Sequence, residues 1–352
     1  VSTFSHQPLH SSRKDDHVAH ALAQEEQRND WDNVEFVHHA LGACDVASVD
    51  ISTEFAGARW ATPFYINAMT GGSHATGELN RRLAVAAREY HVPMASGSTS
   101  VALDYPELAH TFTVIREENP DGFIFANIGV NRSVDDAKRA VDLLQANALQ
   151  VHVNAVQELI MPEGDREFSH WLATIERIRK GVEVPVVVKE VGFGLSVRTL
   201  RQLASAGVEF ADVSGRGGIN FATIENERRR LKDFAYMAGF GQSAAMCLLA
   251  TGLRSLKPGA TEFIHPALPT LAASGGVRTP LDLMRGLALG AKAVGVAGHF
   301  LRRAQIGEEA VVETLGMWAE HSRSLMALLG ARRVSDLANA DVTLHGDLVR
   351  FA

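Results

Sequence analysis

The sequence predicts a (β/α)8 TIM barrel over residues 31–352, preceded by an N-terminal arm over 1–30 and carrying a helical insertion between units six and seven. Three observations predict it. From Trp60 onward, short β-branched or aromatic runs ending on Gly, Ser or Asn alternate with stretches that repeat apolar residues at three- and four-residue steps, the period of a half-buried helix. Eight such runs occur, at 62–68, 92–97, 123–129, 149–154, 185–192, 210–215, 270–276 and 293–298. Finally, 46% hydrophobic residues in 352 support one large core. Strand–helix alternation means a parallel sheet, and eight apolar units favour closure. The competing open sheet lacks its Gly-x-Gly-x-x-Gly fingerprint after the first strand.

Residues 1–30 are polar, His-rich and charged, with a helical stretch expected over 16–28. The segment Arg13-Lys14-Asp15-Asp16-His17 fits either a free tail or an arm that folds over a site and brings charge to an anionic ligand. Helices are expected over 77–90, 133–145, 168–180, 196–206 and 280–289. The long 217–269 connection contains two further helical patterns, 224–234 and 243–253, and so reads as an insertion with its own structure. A helix over 308–329 packs outside, and a short one follows near 334–337.

Composition excludes several classes. A net charge of -7 with dispersed charges lacks the basic stripe of a nucleic-acid binder. The short runs Arg81-Arg82, Arg228-Arg229-Arg230 and Arg332-Arg333 read as solvated helix faces. Cys44 and Cys247 have neither disulfide-framework nor zinc-ligand spacing. No run of about 18 apolar residues is present and the start is polar, so the expectation is a cytoplasmic protein without a membrane span.

In a barrel, the strand ends carry the chemistry. Here they deliver Ala68-Met69-Thr70, Ser98, Asn127, the cluster His152-Val153-Asn154-Ala155-Val156-Gln157-Glu158, Lys189-Glu190, Ser214-Gly215, Gly275-Gly276 and Ala297-Gly298. Polar groups such as those of 152–158 are costly to bury unpaired, so the cluster points to a ligand. In units seven and eight, Gly275 and Gly276 precede Arg278, the N-cap Thr279 and Pro280 at the first helical position, and Ala297-Gly298 ends the next strand. That arrangement is a phosphate site, with backbone amides at a helix start and an arginine beside them. Lys189 lies inside an apolar strand, where it must meet an anion or lose basicity. A Schiff-base lysine, a cation against a cofactor edge and a simple pair with Glu190 all fit, although adjacent strand residues point to opposite faces.

The ordered set Arg13-Lys14-x-x-His17, Met69-Thr70-Gly71-Gly72, His152-x-Asn154-x-x-Gln157-Glu158, Lys189-Glu190-Val191-Gly192-Phe193-Gly194, Asp212-x-Ser214-Gly215-x-Gly217-Gly218, Ile224-Glu225 and Ser274-Gly275-Gly276 resembles the type 2 isopentenyl diphosphate isomerases. The resemblance covers roughly residues 13 to 330. It implies an FMN-dependent barrel that interconverts isopentenyl and dimethylallyl diphosphate by a 1,3-allylic proton shift, with Mg2+, NADPH as flavin reductant and a homotetramer or larger assembly. FMN would lie against Ala68, Met69, Thr70, Ser98, Asn127, Lys189 and Ser214, its phosphate on Gly275, Gly276, Arg278, Ala297 and Gly298. Arg13, Lys14, His17 and Gln157 would bind the substrate, Glu158 would hold Mg2+, and His152, Asn154, Gln157 and Lys189 would serve catalysis. The resemblance gives the reduced flavin the principal proton transfer, with Gln157, a poor acid, positioning or relaying.

Two positions depart from that pattern. Ser100 stands where the family usually has an arginine for the diphosphate, and Ile219 where it usually has a threonine towards FMN. The alternative reading is an FMN-dependent oxidoreductase of the hydroxy-acid oxidase type. It needs a His base and an Arg pair over the flavin; Arg216 is present, but no such set appears in unit seven.

Overall fold

Eight parallel strands close into a barrel in the computed structural model: β1 Phe64–Ile66, β2 Met94–Ala95, β3 Ile124–Gly129, β4 Ala148–His152, β5 Val186–Lys189, β6 Phe210–Asp212, β7 Thr270–Ser274 and β8 Ala293–Val296. Each pairs with the next, and β8 returns to β1 through Val294↔Phe64 and Val296↔Ile66. The structure describes residues 15, 18–19, 24, 28–68, 71–253 and 268–351. Arg13, Lys14, His17, Met69 and Thr70 lie outside the described residues, as do most of the 16–28 helix and residues 254–267 of the insertion.

Strands buried on both faces need continuous apolar runs, and β5 illustrates this with four buried residues, Val-Val-Val-Lys. The helices outside begin where side chains satisfy their free amides. Ser133 caps Val134–Leu144, which ends on Gln145 in the left-handed region. Ser196 caps Val197–Ser205, and Thr279 accepts from the Asp282 amide ahead of Pro280–Ala288. The first outer helix starts at His74, earlier than its apolar period suggests, because Ser73 and Thr76 form a reciprocal cap. Conversely, the expected 224–234 helix stops at Arg228: Asn226 accepts from the Phe234 amide, and Arg229 reaches the carbonyl of Ile160.

The N-terminal mouth of the barrel is closed by an antiparallel hairpin, Thr53–Phe55 with Ala58–Trp60. Phe55 and Trp60 are buried and meet Phe210 and Phe125 edge-on, with ring centroids 5.4 and 5.8 Å apart. A second pair, Val34–Phe36 with Val342–Leu344, joins the two ends of the described chain. With the floor filled by aromatic side chains, the opposite end of the barrel is left for ligands.

Candidate active site

At the C-terminal ends of the strands lies a cavity of about 510 Å³, within the range of small-molecule sites. It is lined by every described residue that the sequence placed in a site. Ala68, Ser98, Asn127, Lys189, Ser214, Gly275, Gly276, Arg278, Ala297 and Gly298 line it, as do His152, Asn154, Gln157 and Glu158.

Beneath the cavity a polar layer crosses the barrel. Asp212, fully buried at the end of β6, accepts from the Tyr65 hydroxyl (2.8 Å), the Ser274 hydroxyl (2.7 Å) and the Ser214 amide (2.9 Å). Burial, helped by the Asp212 charge, pushes the Tyr65 phenol well above its usual range. Asn127 and Gln150 are register partners on β3 and β4, and the Asn127 amide donates to Gln150 Oε1 at 3.0 Å. Asn127 Oδ1 in turn lies 2.9 Å from His152 Nδ1, which orients the imidazole at the cavity edge. Lys189, the register partner of His152 on the neighbouring β5, is buried, and its Nζ donates to the Glu190 carbonyl at 2.6 Å. Burial lowers its basicity, while the Asp212 and Glu190 charges oppose that. The simple pairing with Glu190 takes this backbone form; the Glu190 carboxylate turns instead to the amides of Val191, Gly192 and Phe193.

The glycine ends of β6 and β7 are pressed together. Gly275 has φ +102°, and a Cβ there would lie 1.9 Å from the Gly215 carbonyl oxygen; Gly276, at φ +73°, would meet the Gly217 backbone at 2.6 Å. No other residue type fits such a contact. Two residues from ahead of the barrel clamp the junction: Asn29 Nδ2 donates to the carbonyls of Gly217 and Gly276, and Trp31 Nε1 to that of Gly275 at 2.9 Å. Arg278 lines the cavity, but its guanidinium also bonds Asp32 (2.7 Å) and Asp282 (3.2 Å), so much of its charge serves to anchor this loop. Together with Ala297 and Gly298, which open the helix Gly298–Ile306, these glycines form a backbone-lined cradle that suits a phosphate monoester such as that of FMN.

The opposite wall is the cluster that closes β4. His152 ends the strand, Asn154 stands just ahead of a short helix, Ala155–Ile160, and Gln157 and Glu158 project from that helix. Gln157 Nε2 donates to Glu225 Oε1 at 2.9 Å. Glu225 is fully buried, and its other oxygen takes Arg228, whose guanidinium also reaches Glu163 at 2.6 Å. Arg228 is therefore a buried-side anchor, contrary to the solvated face expected for its run. Glu158 accepts from Asn154 Nδ2 (2.9 Å) and from the Asp165 amide (2.8 Å). Among the described residues no three His, Cys, Asp or Glu side chains gather as a metal cage. A single protein carboxylate such as Glu158 fits a cation whose remaining ligands are substrate oxygens and water, the usual habit of Mg2+.

Sequence reasoning missed Asn29, Trp31, Tyr65 and Gln150. Gln150, a polar residue within the apolar Leu149–Val151 run, carried a signal in its alternation; Asn29 and Trp31, ahead of the first strand, carried none. The two departures also line the cavity. The carbonyl of Ser100 accepts from Arg132 Nη2 at 3.4 Å, and Ile219 packs towards Gly298. Of the arm, Val18 and Gln24 line the cavity, and Gln24 exchanges hydrogen bonds with the Asn220 backbone.

Comparison with known proteins gives a consistent result. The profile of the family described as FMN-dependent dehydrogenase matches residues 14–110 and 116–344. The chain is 51% identical over 345 residues to an isopentenyl-diphosphate delta-isomerase of Streptomyces sp. (strain CL190), covering 97% of this chain and 92% of the relative. It is 48% identical over 348 residues to one of Latilactobacillus sakei subsp. sakei (strain 23K), covering 98% and 96%. Among solved structures, a mandelate oxidase variant with a monooxide FMN adduct superposes with a TM-score of 0.64 at 22% identity, covering 94% of this chain and 92% of that one. At that identity the likeness concerns the fold.

Proposed function

The chain belongs to the FMN-dependent dehydrogenase family and, within it, to the isopentenyl-diphosphate delta-isomerases, and from that premise we propose that it interconverts isopentenyl and dimethylallyl diphosphate with reduced FMN and Mg2+. The observation that carries this reading is one cavity joining a glycine cradle to a wall of imidazole, carboxamide and carboxylate. Ala68, Ser98, Asn127, Lys189 and Ser214 would line the flavin, and Gly275, Gly276, Arg278, Ala297 and Gly298 its phosphate. Met69 and Thr70 would complete that set.

When bound, the reduced flavin supplies the proton donor and acceptor of a shift without net redox change. The chain's own residues position the substrate. Glu225, held by Arg228, fixes the Gln157 carboxamide over the cavity by accepting from its amide nitrogen. This leaves near the alkene a group too weakly acidic or basic to quench a tertiary cation. His152, oriented by Asn127, and Asn154 offer hydrogen bonds from the end of β4. Lys189 places positive charge at the cavity floor, which favours anionic reduced flavin. Glu158 would hold Mg2+ against the diphosphate. Arg13, Lys14 and His17, from an arm over 1–30, would close on the same anion; the cavity contacts of Val18 and Gln24 support that placement. NADPH would reduce the flavin, and a homotetramer or larger assembly in the cytoplasm completes the reading.

The test is anaerobic incubation of the FMN-loaded enzyme, reduced and supplied with Mg2+, with isopentenyl diphosphate, followed by NMR of the product. Dimethylallyl diphosphate should form. Gln157→Ala should lower turnover by about 10²-fold or more, in the range for a lost proton-handling group, while retaining flavin. Absence of conversion, with stoichiometric flavin reduction by a 2-hydroxy acid, would replace this reading with the oxidase one.

A further inference from the structure

We infer that Arg132, which stands on the loop after β3, is a binding residue for the substrate's diphosphate. The inference rests on the diphosphate reading above. Lys189, Arg132, Arg278 and Arg302 are the described lysine and arginines lining the cavity, and their positions differ. Lys189 lies at the floor, bonded to the Glu190 carbonyl. Arg278 is tied to Asp32 and Asp282 beneath the β7 glycines. Arg302 lies over Gly298, at the phosphate cradle. Arg132 stands on the other side, with the His152 to Glu158 wall. Gly129 pairs in register with His152, the Val130 amide donates to the His152 carbonyl at 3.1 Å, and the Arg132 amide donates back to Gly129 at 3.2 Å.

The guanidinium is held ready for an anion. Asp104 takes both terminal nitrogens, Nη1 at 2.7 Å, and the Ser100 carbonyl accepts from Nη2 at 3.4 Å. An arginine has five N–H donors, and those left over, Nε among them, bond to no described residue. The side chain is 25% exposed, so its plane is fixed at the cavity edge while the remaining donors stay accessible. Charge balance points the same way. Glu158 and Asp104 are the described carboxylates lining the cavity; with Glu158 given to Mg2+, Arg132 is the group that offsets the charge of Asp104 there. A purely structural role would make the Arg132–Asp104 pair a surface salt bridge, of small worth.

The experiment titrates the FMN-loaded full chain with inorganic pyrophosphate and Mg2+ by calorimetry, alongside the KM for isopentenyl diphosphate. Arg132→Ala should weaken pyrophosphate binding and raise KM by about tenfold to a hundredfold, the loss of one charge-assisted contact, with FMN affinity unchanged. Arg132→Lys should recover part of the binding, since it keeps the charge without the fork. Adding Ser100→Arg to Arg132→Ala should restore binding, because position 100 borders the same space. Asp104→Asn should bind pyrophosphate at least as tightly as the parent, whereas a structural salt bridge would make it fail like Arg132→Ala. Wild-type pyrophosphate affinity in Arg132→Ala overturns the inference, as does equal loss in Arg132→Ala and Asp104→Asn. A parent enzyme that binds pyrophosphate through Arg132 yet converts no isopentenyl diphosphate would overturn the substrate reading and leave the anion site standing. A parent that binds no pyrophosphate overturns both.

Discussion

Glu190 is buried one residue beyond β5, and its carboxylate accepts from three successive backbone amides. Burial nevertheless dominates and raises its pKa to about 7, against the pull of those amides and of Lys189. Between the unfolded value of 4.5 and about 7, the folded protein keeps a proton that the unfolded chain has released. The resulting stabilisation is complete below that window and is lost as pH rises through about 7. At about 1.4 kcal/mol per pH unit, urea denaturation of the apoprotein should show about 3 kcal/mol less stability above the window than below it, and Glu190→Gln should abolish that slope. Nearby, burial and then the Glu190 charge push the Cys247 thiol up to about 12, which suits packing and not reactivity.

At the scale of elements, the glycine junction of β6 and β7 depends on a segment that precedes the barrel. Asn29 both starts the short helical turn Asp30–Asn33, by a reciprocal cap with Asp32, and spans two strand ends with one side-chain amide. Asp32 then receives Arg278, which holds its carboxyl below the usual range. Asn29→Ala should therefore cost about 1–3 kcal/mol through carbonyls of Gly217 and Gly276 left half-buried and without this donor and weaken FMN binding, read from thermal melts with and without FMN. Helix boundaries were legible where a Ser or Thr cap stood beside an apolar period, as at Ser133, Ser196 and Thr279. The helix Ala155–Ile160, six residues long, was not, because one and a half turns carry too little periodicity to separate helix from loop.

At the scale of the molecule, the two ends of the barrel carry separate duties. The aromatic floor holds it closed, and the cavity lies at the far end of the strands. Trp60→Ala should cost about 3–5 kcal/mol, as large buried aromatics do, measured by chemical denaturation, and leave the KM for isopentenyl diphosphate near that of the parent. Among the described residues no helix is long and apolar enough to cross a membrane.

The sequence by itself determined the eight strands, the helices that start at Ser133, Ser196 and Thr279, and the residues on the strand ends, since these follow from periodicity, capping chemistry and the rule that barrel strands end at the site. Of the strand-end residues given a role, each described one lines one cavity, whereas Glu190, singled out beside Lys189, turns its carboxylate to the amides of 191–193. Only the tertiary structure decided what those side chains touch. The pairing of Gln157 with Glu225 spans 68 positions, that of Arg278 with Asp32 spans 246, and the clamp from Asn29 to Gly276 spans 247. Periodicity reports which face a residue takes within its own element. Partners so far apart in the chain are selected by barrel closure, which brings together ends that no local pattern relates.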